Sequence, residues 1–169
     1  TPKPSSAASD VYKRQGHVCA RGPRCQSDYQ ARVSGPFMDR IDLRMSVPAV
    51  TVADLMVQRP SETSASVAER VAAARQVQHR RYTAMGLAEG YVNARCSAAE
   101  IEAAAALDAD GRSMMAAAAD RLRLSARAFH RVLKVARTLA DLDGEEPVGR
   151  RHLAEALAYR VGPQATTAG

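Results

Sequence analysis

The chain has 169 residues, of which 46% are apolar and 25% are charged. Aromatic residues make up only 4% and Trp is absent, which disfavours an all-β sandwich or barrel and favours a mainly α fold. No stretch approaches the roughly 20 apolar residues of a membrane-spanning helix, and no secretory signal opens the chain. We therefore expect a cytoplasmic protein that makes no membrane contact.

The formal net charge is +6, from 24 Lys and Arg against 18 Asp and Glu. Residues 1–60 hold 9 basic and 5 acidic side chains, so most of the basic excess lies in the first third. Such an excess suits the phosphates of a nucleotide or nucleic acid, and it equally suits an arginine-rich solvated surface. The three cysteines do not form a disulfide framework in a cytoplasmic chain and indicate either a metal site or no special role.

The first 60 residues show little regular patterning. Residues 1–15 have no periodicity and contain two prolines near their start, so we predict a disordered or foreign segment. Within residues 16–60, apolar residues alternate from Ile41 to Val47, which predicts a half-buried strand ended by Pro48. A lone strand cannot satisfy its backbone groups. It therefore indicates the remnant of a larger sheet.

Residues 61–162 carry helical signals, and residues 163–169 form a polar tail that we expect to be disordered. Five amphipathic helices with short connections predict a small bundle. The first helix is expected to start at a Ser66–Glu69 capping box and to stop at Gly86, and the second to start at a Ser97–Glu100 capping box and to end near Leu107. The third is expected over Gly111–Arg123. The fourth is expected from a Ser125 cap to Asp143–Gly144, and the fifth over Arg150–Arg160.

The apolar stripes of these helices define the expected core. They are Val67, Val71, Ala74, Tyr82 and Met85 in the first helix, Met114, Met115, Ala118 and Leu122 in the third, Phe129, Val132, Leu133, Ala136, Leu139 and Ala140 in the fourth, and Leu153, Ala156 and Leu157 in the fifth.

Cys19 and Cys25 are the candidate metal ligands, with His17 as a further candidate. Structural zinc takes four Cys or His ligands, so these residues supply about half a site; the same pattern fits two unrelated thiols in a loop. Cys96 is expected to be a small buried residue. The other histidines, His79, His130 and His152, show no metal-ligand spacing and are expected at the surface or in packing.

The chain contains no Gly-x-x-x-x-Gly-Lys-Ser/Thr phosphate loop and no Gly-x-Ser-x-Gly nucleophile elbow. It therefore lacks a self-sufficient active site. Two arginine motifs are more informative. Asp39 and Arg40 stand at the entrance to the predicted strand after a Gly35–Pro36 turn, and Arg127 lies in the first turn of a predicted helix. The helix dipole disfavours a cation there, so an anion such as a triphosphate is a natural partner for Arg127.

Residues 16–160 resemble the carboxy-terminal part of magnesium-chelatase-like AAA+ ATPases of the ComM/YifB type. The segments that carry the resemblance are, in order, Ser34–Pro36, Met38–Leu43, Val47–Pro48, Leu124–Arg127, Leu133–Leu142 and His152–Leu157. The resemblance implies the end of an AAA+ α/β core over residues 16–60, consisting here of one strand and loops, followed by a helical lid domain over residues 61–162.

The resemblance also implies roles for individual residues. Arg40, with Asp39 beside it, corresponds to the arginine finger that reaches the γ-phosphate bound by the neighbouring subunit. Arg127 corresponds to the sensor-2 arginine of the lid, which contacts phosphate. Cys19 and Cys25 correspond to the second half of a cysteine cluster.

For the intact protein, the resemblance implies ATP and Mg²⁺ as cofactors, with zinc as a further candidate. It also implies a ring of identical subunits, expected to be a hexamer, and action on DNA in branch migration and natural transformation. The magnesium-binding acids and the sensor asparagine of the family are absent along with the phosphate loop, so the chain alone should not hydrolyse ATP.

Two alternatives remain at this point. One is the motor subunit of a metal chelatase. The other is a stand-alone basic helical module that binds DNA through Arg75, Arg80, Arg81 and the arginines between positions 121 and 137. Tight, strongly salt-dependent binding of duplex DNA by the isolated chain would favour the stand-alone module.

Overall fold

The computed structural model of the chain describes residues 35–45 and 62–161, together with residues 32, 47, 52 and 56. The chain divides into two compact units. The first comprises Thr1–Ile41 and Ser46–Pro60, and the second comprises Asp42–Met45 and Ser61–Gly169.

The described secondary structure is helical, which confirms the predicted mainly α fold class. In the first unit, α1 spans Gly35–Met38. The second unit contains α2 (Ser64–Ala84), a single 3₁₀ turn (Asn93–Arg95), α3 (Ala98–Ala105), α4 (Ala109–Leu122), α5 (Ala126–Leu142) and α6 (Arg150–Val161).

The predicted strand over Ile41–Val47 is wrong for residues 41–45, which have no regular secondary structure. Alternating apolar residues stabilise a strand only when a neighbouring strand completes the hydrogen-bond ladder. The backbone N–H of Arg44 instead donates to the carbonyl of Tyr159 in α6, at 3.0 Å. This segment therefore lies against a helix end rather than in a sheet.

The helix starts follow side-chain capping, with corrections to the sequence analysis at α2 and at α4, which starts at Ala109 after the cap Asp108 and not at the predicted Gly111. Ser97 and Glu100 form the predicted capping box of α3, and Ser125 caps α5 by accepting from the Ala128 N–H at 3.2 Å. At α2, however, the cap is Thr63, whose Oγ1 accepts from the N–H of Ser66 at 3.2 Å. Helix α2 therefore starts at Ser64, ahead of the predicted Ser66 cap, because Thr63 satisfies the free amide first.

The core of the second unit is built around α5. Its buried face presents Val132, Leu133, Ala136 and Ala140 to the other helices. Facing residues from those helices include Tyr82, Ile101, Met115, Leu153 and Ala156. Each large apolar side chain buried in this way contributes about 1.5–3 kcal/mol.

Part of the predicted stripe of α2 is not core. Ala74 and Tyr82 are buried, but Val67 and Val71 are 38% and 45% exposed, and Met85 is 38% exposed. Nearly all residues of the first half of α2 are exposed among the described residues. The stripe continues along the helix, but the bundle covers only its second half.

A buried polar network joins α2, the 3₁₀ turn and α5. The Asp141 carboxylate accepts from Arg81 Nη2 at 2.5 Å, from Arg137 Nε at 3.1 Å and from Asn93 Nδ2 at 2.9 Å. Arg137 also donates to the carbonyls of Glu145 and Glu146 after α5. Burial lowers the pKa of Arg137, and the adjacent Asp141 opposes that shift. Asp141 thus has two cationic partners, and backbone carbonyls accept from the remaining donors of Arg137.

Candidate functional site

The candidate zinc ligands Cys19 and Cys25, with His17, lie outside the described residues, so that prediction stays a prediction. Within the described ranges, no group of three or more His, Cys, Asp and Glu residues could hold a metal ion. Cys96 is free and 3% exposed, which confirms it as a small buried residue. Burial also raises the pKa of its thiol.

Asp39 and Arg40 follow α1 in the first unit. The N–H of Arg40 donates to the carbonyl of Phe37 at 2.9 Å, and the N–H of Ile41 donates to that of Met38 at 3.2 Å. These two bonds form a tight turn at the helix end. Gly35 and Pro36 begin the short helix instead of forming the predicted turn. Arg40 is exposed and Asp39 is half-buried, so the guanidinium of Arg40 is accessible.

Arg127 is the second residue of α5 and is exposed. No hydrogen bond or ion pair joins it to another residue of the described chain. The positive end of the helix dipole acts on it, which costs about 0.3–1 kcal/mol at an exposed site. Arg127 is therefore a cation placed where folding alone does not favour one.

A groove of about 610 Å³ runs along the outer face of α5. Three cations line it at helical spacing, namely Arg127, Arg131 and Lys134, and His130 lies beside them. Its apolar lining includes Leu43, Met45, Val135, Leu139 and Leu142.

Three of the four basic groups in this groove are bonded. Lys134 Nζ donates to the carbonyl of Ala94 at 3.0 Å, and His130 Nε2 lies 2.7 Å from Glu102 Oε1. Arg131 forms an ion pair with Asp42. Among the described residues, Arg127 is thus the basic group of the groove that keeps its donors available for an anion.

Sequence reasoning missed several polar residues that the structure brings together. Asp42 falls within the predicted strand, whereas the structure pairs it with Arg131. The Arg137–Asp141 pair at positions i and i+4 was a detectable signal, but its burial was not. His152 is confirmed as a packing residue: it is 1% exposed, and its Nδ1 accepts from the Gly149 N–H at 3.0 Å.

None of the described helices is long and apolar enough to cross a membrane.

Residues 61–160 match the family described as magnesium chelatase, subunit ChlI C-terminal. Residues 3–55 match the family described as magnesium chelatase, subunit ChlI. The second match begins inside residues 1–15, which lie outside the described residues, so the predicted disordered or foreign segment stays a prediction.

The chain is 42% identical over 134 residues to the competence protein ComM of Haemophilus influenzae, covering 79% of this chain and 25% of that protein. It is 37% identical over 151 residues to the uncharacterized protein YifB of Escherichia coli, covering 86% and 28%. An uncharacterized protein of Mycobacterium bovis is 31% identical over 146 residues, with coverage of 86% and 28%. The chain thus spans about a quarter of the length of these curated relatives. These matches place the chain in the ComM/YifB family of magnesium-chelatase-like AAA+ proteins.

Proposed function

We propose that this chain supplies the lid and the arginine finger of an ATP-driven motor. In this proposal, Arg127 is a sensor-2 residue that contacts the phosphates bound by its own subunit. Arg40, beside Asp39, acts on the nucleotide of the neighbouring subunit in a ring, which we expect to be hexameric. The chain lacks a phosphate loop, so it acts only as part of the full-length protein.

The observation that carries the proposal is the position of Arg127. It opens α5, faces a groove of about 610 Å³ and has no bonded partner in the described part of the chain. A guanidinium offers five N–H donors in a planar fork that matches phosphate oxygens. A bound triphosphate would offset the unfavourable interaction of Arg127 with the helix dipole and would accept hydrogen bonds from its unused donors.

The chemistry of the finger follows from phosphoryl transfer itself. Negative charge spreads over the phosphoryl oxygens in the transition state, and a guanidinium that reaches those oxygens stabilises it. Arg40 is exposed at a tight turn after α1, which leaves it accessible to another subunit. Mg²⁺, which we propose as a cofactor of the full-length protein, would supply further neutralisation of the phosphate charge.

The remaining assignments extend the same proposal. DNA is the proposed substrate of the motor, in keeping with the similarity of the chain to the competence protein ComM. Cys19 and Cys25 supply two thiolates where a structural zinc site takes four ligands. We therefore propose weak zinc binding by this chain, which metal analysis after dialysis tests.

The structure disfavours the stand-alone DNA-binding module. Three of its proposed contact residues hold acidic partners: Arg81 and Arg137 pair with Asp141, and Arg131 pairs with Asp42. Their charges are thus partly neutralised within the unit. The proposal of a metal-chelatase motor subunit shares the same ATPase chemistry and differs only in what the motor acts on.

The experiment is substitution of Arg127 in the full-length protein. Arg127→Ala should slow ATP hydrolysis by at least tenfold and weaken nucleotide binding severalfold, because both the charge and the fork are lost. Arg127→Lys keeps the charge but not the fork, so it should restore part of the binding and little of the turnover.

Arg121→Ala is the matched control, since Arg121 is an exposed arginine of the neighbouring helix α4. It should leave hydrolysis unchanged. Melting temperature is the second control: removing a cation from a helix start should not destabilise the bundle. Parental hydrolysis and nucleotide affinity in Arg127→Ala would refute the sensor assignment.

A further inference from the structure

Residues Asp42–Met45, called here the strap, lie against the helical unit. The strap N–H of Arg44 donates to the carbonyl of Tyr159 at 3.0 Å. Tyr159 stands in the last turn of α6, where a carbonyl would need the N–H of residue 163 to continue the helical pattern. Residue 163 is Pro and has no N–H. The strap therefore supplies a hydrogen bond that the helix cannot make for itself.

The first residue of the strap binds a second helix. The Asp42 carboxylate forms an ion pair with Arg131 of α5. Arg131 follows Arg127 by one helical turn, so the two residues share a face. Leu43 and Met45 line the same groove as Arg127. The strap is thus bonded to both α5 and α6, next to the residue proposed to contact phosphate.

The strap also continues directly from the finger segment. Arg40 precedes Asp42 by two residues, so their Cα atoms lie at most about 7 Å apart along the chain. A displacement of α5 that carries Asp42 with it therefore also displaces the chain two residues after Arg40. This linkage would connect Arg127, proposed to act on the nucleotide of its own subunit, with Arg40, proposed to act on the nucleotide of the neighbouring subunit.

We infer that Asp42 and Arg131 are positioning residues that couple the finger Arg40 to the lid helix of the same subunit. When Arg127 responds to the nucleotide of its own subunit, the Asp42–Arg131 pair transmits the shift of α5 to the segment holding Arg40. The inference rests on the proposed function, because it needs both arginines to act on nucleotide.

The size of the expected effect follows from the exposure of the pair. The Arg131 and Asp42 side chains are 28% and 50% exposed, so the pair contributes little to folding and its removal should leave the bundle intact. Removing the pair should shift the equilibrium between the attached and the detached strap by about two- to fivefold toward the detached state. The pair therefore acts on position rather than on stability.

The attachment is tested without nucleotide. In the 169-residue chain, hydrogen exchange of the Arg44 amide reports opening of its bond to Tyr159. Asp42→Asn should speed this exchange about two- to fivefold, and Asp42→Lys should speed it more because it places two cations together. Glu62→Gln is the matched control, since it breaks another exposed ion pair, with Arg70, and should leave Arg44 unchanged.

The coupling is tested by ATP hydrolysis of the full-length protein. Asp42→Asn should lower kcat about two- to fivefold with little change in KM, Asp42→Lys should lower kcat further, and Glu62→Gln should change neither. Exchanging the charges, Asp42→Arg with Arg131→Asp, should restore most of kcat. Because partial unfolding would also lower kcat without changing KM, the melting temperatures of the Asp42 variants must equal that of the parent for the loss to count as coupling.

The outcomes separate the inference from the proposed function. Unchanged hydrogen exchange of the Arg44 amide in both Asp42 variants would overturn the inference that Asp42 holds the strap in place. Faster exchange with parental kcat, in a protein that Arg40→Ala inactivates, overturns the coupling and leaves the proposed function standing. Parental hydrolysis in both Arg40→Ala and Arg127→Ala overturns the proposed function itself, and the inference with it.

Discussion

Tyr82 is fully buried, yet its hydroxyl group needs a partner inside the bundle. It donates to Asn93 Oδ1 at 2.5 Å, and its ring meets that of Tyr91 edge to face with centroids 5.5 Å apart. Burial raises the pKa of Tyr82 well above its ordinary value, because ionisation would place a phenolate in an apolar site. The burial of this one side chain therefore makes the stability of the bundle depend on pH in the alkaline range.

This pKa shift predicts a loss of stability at high pH. Below about pH 10 the hydroxyl is protonated in both states. Above that value the unfolded chain releases the proton while the folded one keeps it, so the free energy of unfolding falls by up to about 1.4 kcal/mol per pH unit. Tyr82→Phe removes this contribution. It should flatten the stability profile between about pH 10 and 12, measured by urea unfolding, although it lowers stability at neutral pH by leaving Asn93 short of a donor. Parallel profiles for the parent and the variant would contradict the assignment.

Helices α2 and α5 are joined by an ion pair as well as by apolar contact. Asp141 in α5 is the common acceptor for Arg81 and Arg137, whose side chains are 11% and 1% exposed. Two cations share one carboxylate, and the carbonyls of Glu145 and Glu146 take the remaining donors of Arg137. The polar network thus also holds the turn after α5 in place.

Asp141→Asn should therefore be strongly destabilising, because it leaves the buried Arg137 and the largely buried Arg81 without an anion. Breaking a buried pair in this way costs about 3–5 kcal/mol. For a unit of this size, we expect the melting temperature to fall by more than about 10 °C, measured by circular dichroism. Glu62→Gln breaks the exposed pair with Arg70 and should lower the melting temperature by only a few degrees. Similar losses in the two variants would show that the network carries no special share of the stability.

The sequence predicted the helices well and the polar contacts poorly, for physical reasons. Caps such as Ser97 and Ser125 are local signals, and the stripe of α5 has the period of a helix. Gln78 of α2, Arg137 of α5 and His152 of α6 are polar residues at buried positions, so an apolar pattern cannot reveal them. The Asp42–Arg131 contact spans 89 residues of sequence, and no local pattern encodes such a pairing. The prediction of a strand at residues 41–47 failed for a related reason. Alternation of apolar residues is a local pattern, and it does not show whether a partner strand exists.

At the scale of the whole molecule, the two candidate arginines belong to different units of one chain. Arg127 lies in the helical unit, whose buried apolar residues form one core cluster. Arg40 lies in the other unit, at an exposed turn. A residue that serves its own subunit and a residue that serves a neighbour require a head-to-tail ring, in which each interface joins two different surfaces. The proposed roles are therefore distinguishable by mixing subunits.

The full-length protein provides that test. Subunits carrying Arg40→Ala keep a nucleotide site but lack the finger, and subunits inactivated in the phosphate loop keep the finger but bind no nucleotide. Each alone should hydrolyse ATP at least a hundredfold more slowly than the parent. In an equal mixture, about a quarter of the head-to-tail interfaces pair an intact site with an intact finger, so hydrolysis should return to a substantial fraction of the parental rate. Mixing Arg127→Ala subunits with Arg40→Ala subunits is the internal control. Here hydrolysis should return only where a site in an Arg40→Ala subunit, which keeps Arg127, meets the finger of an Arg127→Ala subunit. A finger that acted within its own subunit would restore nothing in either mixture, and mixed rings without recovered hydrolysis would exclude Arg40 as a finger in trans.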